Sequence, residues 1–285
     1  MNIGIDLGTT FSSVAICYEE KDKLVVEEIE LASANGETKI PSVIYVKKDG
    51  GTVVGAAALN YLATEPDRVF QWFKRDMGSD KPIRTVDGVG WTPQMLSAEI
   101  LKVLKRDAEK WLEEMGEELT GTVVCVPAWF GDRQRAATRE AIEMAGLTLV
   151  DMRAEPSAAA LAVAMTRPDE VTDKHVLVYD LGGGTFDVVL IKTEKTDSLL
   201  PRITTLCRAG HFDLGGHNWD EMLAEHLCQR CFEEHKHNPK NDLREWVTTL
   251  ERVEAGKRDY SREGEAVMFP VGLRGHAFEI SLAEF

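Results

Sequence analysis

Two short stretches of this chain repeat one another, and the repeat restricts its possible folds more than any other feature. From Met1 to Cys17, apolar residues alternate through Ile3, Ile5 and Leu7, turn at Gly8-Thr9-Thr10, and resume with Val14 and Ile16. From His175 to Ile191 the chain runs Val176-Leu177-Val178-Tyr179, turns on glycines, and continues as Phe186-Asp187-Val188-Val189-Leu190-Ile191. Each pattern predicts a β-hairpin. Both read apolar strand, Asp-Leu-Gly, threonine, Phe, apolar strand, with one extra glycine in the second copy. An internal duplication is the simplest account, and it puts a boundary between two lobes in the polar stretch Thr166 to Lys174.

The turn has a definite chemistry. Glycine lets backbone N–H groups approach phosphate oxygens, and threonine hydroxyls add donors. An aspartate at the strand end can hold Mg²⁺ through water, because that ion prefers oxygen and keeps its hydration. One such turn says little, since the same pattern occurs in unrelated hairpins. Two, opening two matched halves, predict a phosphate group gripped from both sides.

Size and charge agree with this reading. A chain of 285 residues is too long for one small core. Its net charge of -15 argues against nucleic-acid or anionic-membrane partners. A local set of amides, a lysine and a divalent cation can still hold an anionic nucleotide. No apolar run approaches the roughly 18 to 20 residues that cross a bilayer, and no leader pattern opens the sequence. Five cysteines at irregular spacing give no disulfide framework, so a reducing cytoplasm is expected.

Between the hairpins, Thr92 and Pro93 mark a helix start, with Leu96, Ile100, Val103, Leu104, Ala108, Trp111 and Met115 at helical spacing. Further helices are expected over Asp132 to Ala145, stopped by Gly146, from Pro156 onward, over Trp219 to Lys236, and over Leu243 to Tyr260. Thr122 to Val126 reads as a strand, and Val267 to Phe285 as strand-rich. Cys228, Cys231, His235 and His237 look like a short metal motif, but a packed helix with small apolar cysteines accounts for them better. Trp72, Trp111, Trp129 and Trp219 read as packing residues.

Six stretches, spread over the whole chain, resemble the nucleotide-binding domain of the 70-kilodalton heat-shock chaperones, a branch of the actin and sugar-kinase superfamily. They are Gly4 to Thr10, Val69 to Arg75, Val126 to Phe130, Glu155 to Ala160, Tyr179 to Asp187 and Glu254 to Ser261. The resemblance implies an α/β, actin-like ATPase fold with two ribonuclease-H-like lobes around a nucleotide cleft. Residues 1–170 would form the first lobe, with an accessory part at about 37–94. Residues 171–285 would form the second, with an accessory part at about 214–285.

The implied ligands are ATP or ADP with Mg²⁺, K⁺ being a further candidate. Lys74, Glu155, Asp180, Thr185 and Asp187 would be catalytic, with Lys74 at the γ-phosphate. Asp6, Glu155 and Asp180 would hold the metal through water. Asp6, Gly8, Thr9, Thr10, Phe11, Gly182, Gly183, Gly184, Gly215 and Gly216 would surround the phosphates. Glu254, Lys257, Arg258 and Ser261, which share one helix face by spacing, would take the adenosine. Pro127 and Arg135 would relay nucleotide state. Co-chaperones and a nucleotide-exchange factor are the implied partners.

Three departures from the family pattern stand out. Gly215-Gly216-His217-Asn218-Trp219-Asp220 has lost acidic residues usual in that motif, Ala154 stands where asparagine is usual, and Met77 to Thr92 is short. The family domain continues past the point matching Phe285, so an incomplete second lobe, no peptide-binding domain, and weak or absent turnover are expected. Two alternatives follow: a truncated, non-catalytic nucleotide-binding module, and an actin-like assembly ATPase.

Overall fold

In this computed structural model the described residues are 1–21, 23–197, 201–263 and 266–285. The first hairpin forms as expected, from β1 (Asn2–Leu7) and β2 (Phe11–Glu20). Ile3, Ile5 and Leu7 all point into the core, so Asp6 faces the other way. The sheet extends through β3 (Lys23–Glu28) and β4 (Lys39–Pro41), both paired with β2. Short strands β5 (Ile44–Val46), β6 (Thr52–Val54) and β7 (Val69–Phe70) make a separate sheet with the one-turn helix α1 (Ala56–Leu59) beside it. A small hairpin, β8 (Arg84–Val86) and β9 (Val89–Trp91), leads into α2 (Pro93–Glu114).

The Thr92 hydroxyl caps α2 by accepting from the Met95 N–H, and Pro93 occupies the first turn, as the sequence predicts. Leu96, Ile100, Leu104 and Ala108 are buried against the first sheet. Met115 is a correction: it lies past the helix end and is exposed. Strand β10 (Gly121–Val126) then runs parallel to β1, α3 (Asp132–Met144) ends at Gly146 with φ +69°, and β11 (Leu149–Ala154) runs parallel to β10. The first sheet thus has the order β11-β10-β1-β2-β3, with parallel strands on one side and antiparallel strands on the other.

Helix α4 (Glu155–Thr166) and the short α5 (Pro168–Val171) lead to the second hairpin, β12 (His175–Leu181) and β13 (Phe186–Glu194). Strand β14 (Arg202–His211) pairs with β13, giving the order β12-β13-β14. Ala160 of α4 packs with Ala128, Val189 and Ile191, which joins α4 to the second sheet. The remainder is α6 (Gly216–His235), α7 (Leu243–Glu263) and the hairpin β15 (Ala266–Val271) and β16 (His276–Ser281), sharing one core.

Two expectations in this region need adjustment. Helix α6 begins at Gly216, before Trp219, because Asn218 caps it by accepting from the Gly215 N–H. Trp219 is substantially exposed rather than packed. Cys228 and Cys231 are buried in the α6–α7 core, as the packing reading requires, while His235 stacks on His276 and His237 bonds to Glu245.

Gly256 lets α7 lie against β15. A Cβ there would fall 2.5 Å from Cε1 of Phe269, whose side chain is fully buried. Gly256→Ala gains about 0.5–1 kcal/mol of helix propensity. Overpacking against a ring with nowhere to go costs about 1–3 kcal/mol. The clash therefore wins, and calorimetric melting of the variant should show a Tm lower by a few degrees. An unchanged or raised Tm would contradict this packing.

Candidate functional site

The first glycine turn is pinned from below. A Cβ on Gly8 would sit 2.0 Å from the Phe11 carbonyl oxygen, so only glycine fits. The Gly8 N–H donates to Ser12 Oγ at 3.2 Å, Ser42 Oγ donates to the Gly8 carbonyl at 2.8 Å, and the two hydroxyls lie 2.9 Å apart. The Ser42 N–H also donates to the Thr10 carbonyl at 2.8 Å. Sequence reading missed Ser12 and Ser42 as supports of this turn; a buried serine pair carries no local pattern.

The second turn is held by the start of α6. Gly182 N–H donates to the Thr185 carbonyl at 2.9 Å, Gly216 N–H to the Gly182 carbonyl at 3.0 Å, and His217 N–H to the Gly183 carbonyl at 2.8 Å. A Cβ on Gly215 would come within 2.5 Å of Gly183 and Gly184 backbone atoms. Gly215 and Gly216 therefore shape the loop, and the Gly216 amide is already occupied by protein.

The two turns meet. A Cβ on Gly183 would fall 2.0 Å from Thr10 Oγ1, and one on Gly184 would fall 2.9 Å from Thr9 Cγ2 and 3.0 Å from Arg75 Cγ. The glycines thus allow a close approach between the hairpins that no side chain would permit.

Beside them lies a cluster of charged groups. Lys74 sits in a short turn, Phe73 to Asp76, and is buried. Its Nζ donates to Glu155 Oε1 at 2.7 Å and lies 5.9 Å from the centre of the Phe130 ring. Burial opposes its charge, but Glu155 and Asp6 more than compensate, and its pKa is raised. Asp6 is exposed on the open face of β1, yet the groups crowded around its carboxylate make desolvation the largest influence and raise its pKa; Lys74 opposes this, while Glu155 and Asp180 add to it. Asp180 is raised by desolvation and by Glu155.

Asp187 lies directly opposite Asp180 in the β12–β13 register. Its carboxylate is buried, Oδ2 has no partner, and desolvation, Glu155 and Asp180 push its pKa up to about 6 despite a hydrogen bond from the Ala128 backbone. Cys125, opposite Asp6 in the β1–β10 register, is pushed up to about 12 by burial and by the Asp6 and Glu155 charges. Sequence reading overlooked this thiol, which remains protonated at neutral pH.

The expected adenosine residues divide. Glu254 and Arg258 form an ion pair on α7 and line a cleft that also takes in Thr9, Thr10, Phe11, Ser42 and Trp72. Lys257 turns toward the start of α6, where Nζ meets Asp220 Oδ1 at 2.7 Å and donates to the Gly216 carbonyl at 2.9 Å. Asp220 is thus the acidic residue of its motif that keeps a partner. The side chain of Ser261 lies outside the described residues. Arg135 is removed from the charged cluster: its Nε donates to the Phe130 carbonyl at 3.0 Å, and the Phe130 N–H donates to the Pro127 carbonyl at 3.1 Å. Phe130, under Lys74, is the link between Arg135 and the site.

The donor set fits a hydrated Mg²⁺. Asp6, Glu155, Asp180 and Asp187 set four carboxylates against the one ammonium of Lys74; desolvation first, and then the neighbouring carboxylates, raise the pKa values of Asp6, Asp180 and Asp187. Among the described residues no group of three or more His, Cys, Asp or Glu side chains is arranged to hold a metal directly.

Paired glycine turns over a lysine–carboxylate cluster, on a mixed α/β fold, define a phosphate-gripping protein of the actin-like ATPase class. Comparison with family models makes this narrower. The model described as "Hsp70 protein" matches residues 2–88 and 80–272, so this chain belongs to that chaperone family and carries its ATP-binding fold. The two matched stretches overlap at residues 80–88.

A raised carboxylate pKa makes stability depend on pH. Relative to an unfolded value near 3.8, Asp187 imposes no penalty below pH 4, and the fold loses stability as pH rises through about 6. Asp187→Asn removes that loss. Denaturant unfolding should show the variant more stable by about 1–3 kcal/mol at pH 7.5, converging on the parent near pH 4. A gap that is constant with pH would contradict the assignment.

Proposed function

We propose that this chain binds ATP or ADP with Mg²⁺ between two lobes, residues 1–170 and 171–285, and hydrolyses ATP as the nucleotide-binding part of a cytoplasmic chaperone. The observation that carries this is the convergence of Lys74 with Asp6, Glu155, Asp180 and Asp187 where the two glycine turns meet. Bound Mg²⁺, held through water by Asp6, Glu155 and Asp180, would supply positive charge against the phosphate oxygens.

The chain's own groups have separate tasks in this reading. Thr9, Thr10 and Thr185 offer hydroxyl donors to β- and γ-phosphate oxygens. Lys74 stabilises charge on the γ-phosphoryl group as it transfers, the principal protein contribution to such reactions. Asp187, whose pKa of about 6 lies close to neutrality, suits it to orient the attacking water and accept its proton. Glu254 and Arg258 form the wall for the nucleoside. Family membership supports co-chaperones and a nucleotide-exchange factor as partners. No helix among the described residues is long and apolar enough to cross a membrane.

A second reading, a nucleotide binder without turnover, is favoured by the direct contact between the glycine turns, which must part to admit phosphate. Calorimetric titration of ATP with Mg²⁺, followed by single-turnover hydrolysis, separates the two. The proposal predicts saturable binding, and hydrolysis that falls about 10²–10³-fold in Lys74→Ala while affinity changes little. Binding without hydrolysis would support the second reading, and no binding would exclude both.

A further inference from the structure

Trp72 and His217 bring the Lys74 turn and the start of α6 into contact. Trp72 opens the turn that carries Lys74, and His217 lies in the first turn of α6. Their rings stack with centroids 3.7 Å apart and planes 17° from parallel. Trp72 has φ +55°, a left-handed conformation unfavourable for a bulky aromatic residue. Such a conformation persists only where its surroundings impose it. Here the stack on His217 and packing against the α6–α7 core do so.

The same pair joins the two halves of the phosphate site. Trp72 stands two residues before Lys74, while the His217 main chain holds the second glycine turn through its 2.8 Å bond to Gly183. Arg75, one residue after Lys74, adds an ion pair with Asp213 and lies 3.6 Å from Glu221. Trp72 and His217 both stand at positions the family resemblance left without a role.

The charges around the imidazole decide its protonation state. Asp213 and Glu221, the latter 3.4 Å from Nε2, favour the cation. An indole face also attracts a protonated ring. Against these stand burial, Arg75 from the Lys74 turn and Lys257 from α7, with Asp220 already paired to Lys257. Burial and then the two cations prevail, and the His217 pKa falls to about 4.

We propose that the Trp72–His217 stack is a proton-sensitive clasp: with a neutral imidazole it keeps the cleft shut around Lys74, and on protonation it lets nucleotide leave. This rests on the reading of the cleft as a nucleotide site. Closing requires a neutral ring, whereas an opened, hydrated imidazole regains an ordinary pKa near 6.5. The clasp is therefore at full strength above about pH 6.5 and weakens as pH falls toward 4, by up to about tenfold per pH unit.

Two measurements test it. The first is an NMR titration of the histidine rings, with the His217 signal assigned by its loss in His217→Phe. In the parent protein that ring should remain neutral at pH 5.5, and in Trp72→Ala its midpoint should rise by about one pH unit or more. A parent midpoint near 6.5 would overturn the clasp, and so would an unchanged midpoint in a folded Trp72→Ala protein. The second is release of methylanthraniloyl-ADP with Mg²⁺ by stopped flow. Release from the parent should quicken about tenfold between pH 7.5 and 5.5, while His217→Phe, which stacks but cannot take a proton, should change less than about twofold. Equal acceleration in both proteins would also overturn it. If no nucleotide binds at either pH, the functional proposal fails, and the ring titration still decides whether the clasp exists.

Discussion

The ammonium of Lys74 holds together groups that would otherwise repel one another. Asp6 comes from β1, Glu155 from the start of α4, and Asp180 and Asp187 face each other across the β12–β13 hairpin. A buried charge without a partner costs several kcal/mol, and so does a cluster of carboxylates without a cation. The first sheet, α4 and the second sheet therefore depend on one 2.7 Å ion pair for tolerable electrostatics at their junction. That negative excess, incompletely offset, is the feature on which the proposed hydrated Mg²⁺ rests.

Packing brings these charges into register. Ile3, Ile5 and Leu7 bury one face of β1, which turns Asp6 toward the other. Glycines at 183 and 184 allow the second turn to reach Thr9 and Thr10, and the start of α6 supports that turn by donating to its carbonyls. The short turn from Phe73 to Asp76 serves both halves: Lys74 pairs with Glu155 on one side, while Arg75 reaches Asp213 on the other.

Both hairpins, the capped start of α2 and the cysteines of α6 were legible in the sequence, because each depends on local periodicity or a local cap. Strands β3, β5, β6, β8, β9 and β14 were not, since short or exposed strands owe their existence to pairing with distant partners. Trp219 shows the same limit: an aromatic residue suggests packing, but the capped start of α6 leaves it exposed. In the site, family resemblance assigned Lys74 and Glu155, and the geometry brings them together. The Ser12–Ser42 support, the Cys125 thiol and the Trp72–His217 stack arise from residues 30 or more apart or from neighbouring strands, which no spacing rule reveals.

The central claim is that phosphate sits against Lys74 between the paired glycine turns. The most direct measurement is a crystal structure of the chain grown with ADP, Mg²⁺ and beryllium fluoride, which mimics the γ-phosphate. The account predicts the fluoride within hydrogen-bond distance of Lys74 Nζ, flanked by Thr10 and Thr185, with the nucleoside toward Glu254 and Arg258. A nucleotide bound elsewhere, or one whose phosphates leave the Lys74–Glu155 pair untouched and the glycine turns in contact, would contradict it.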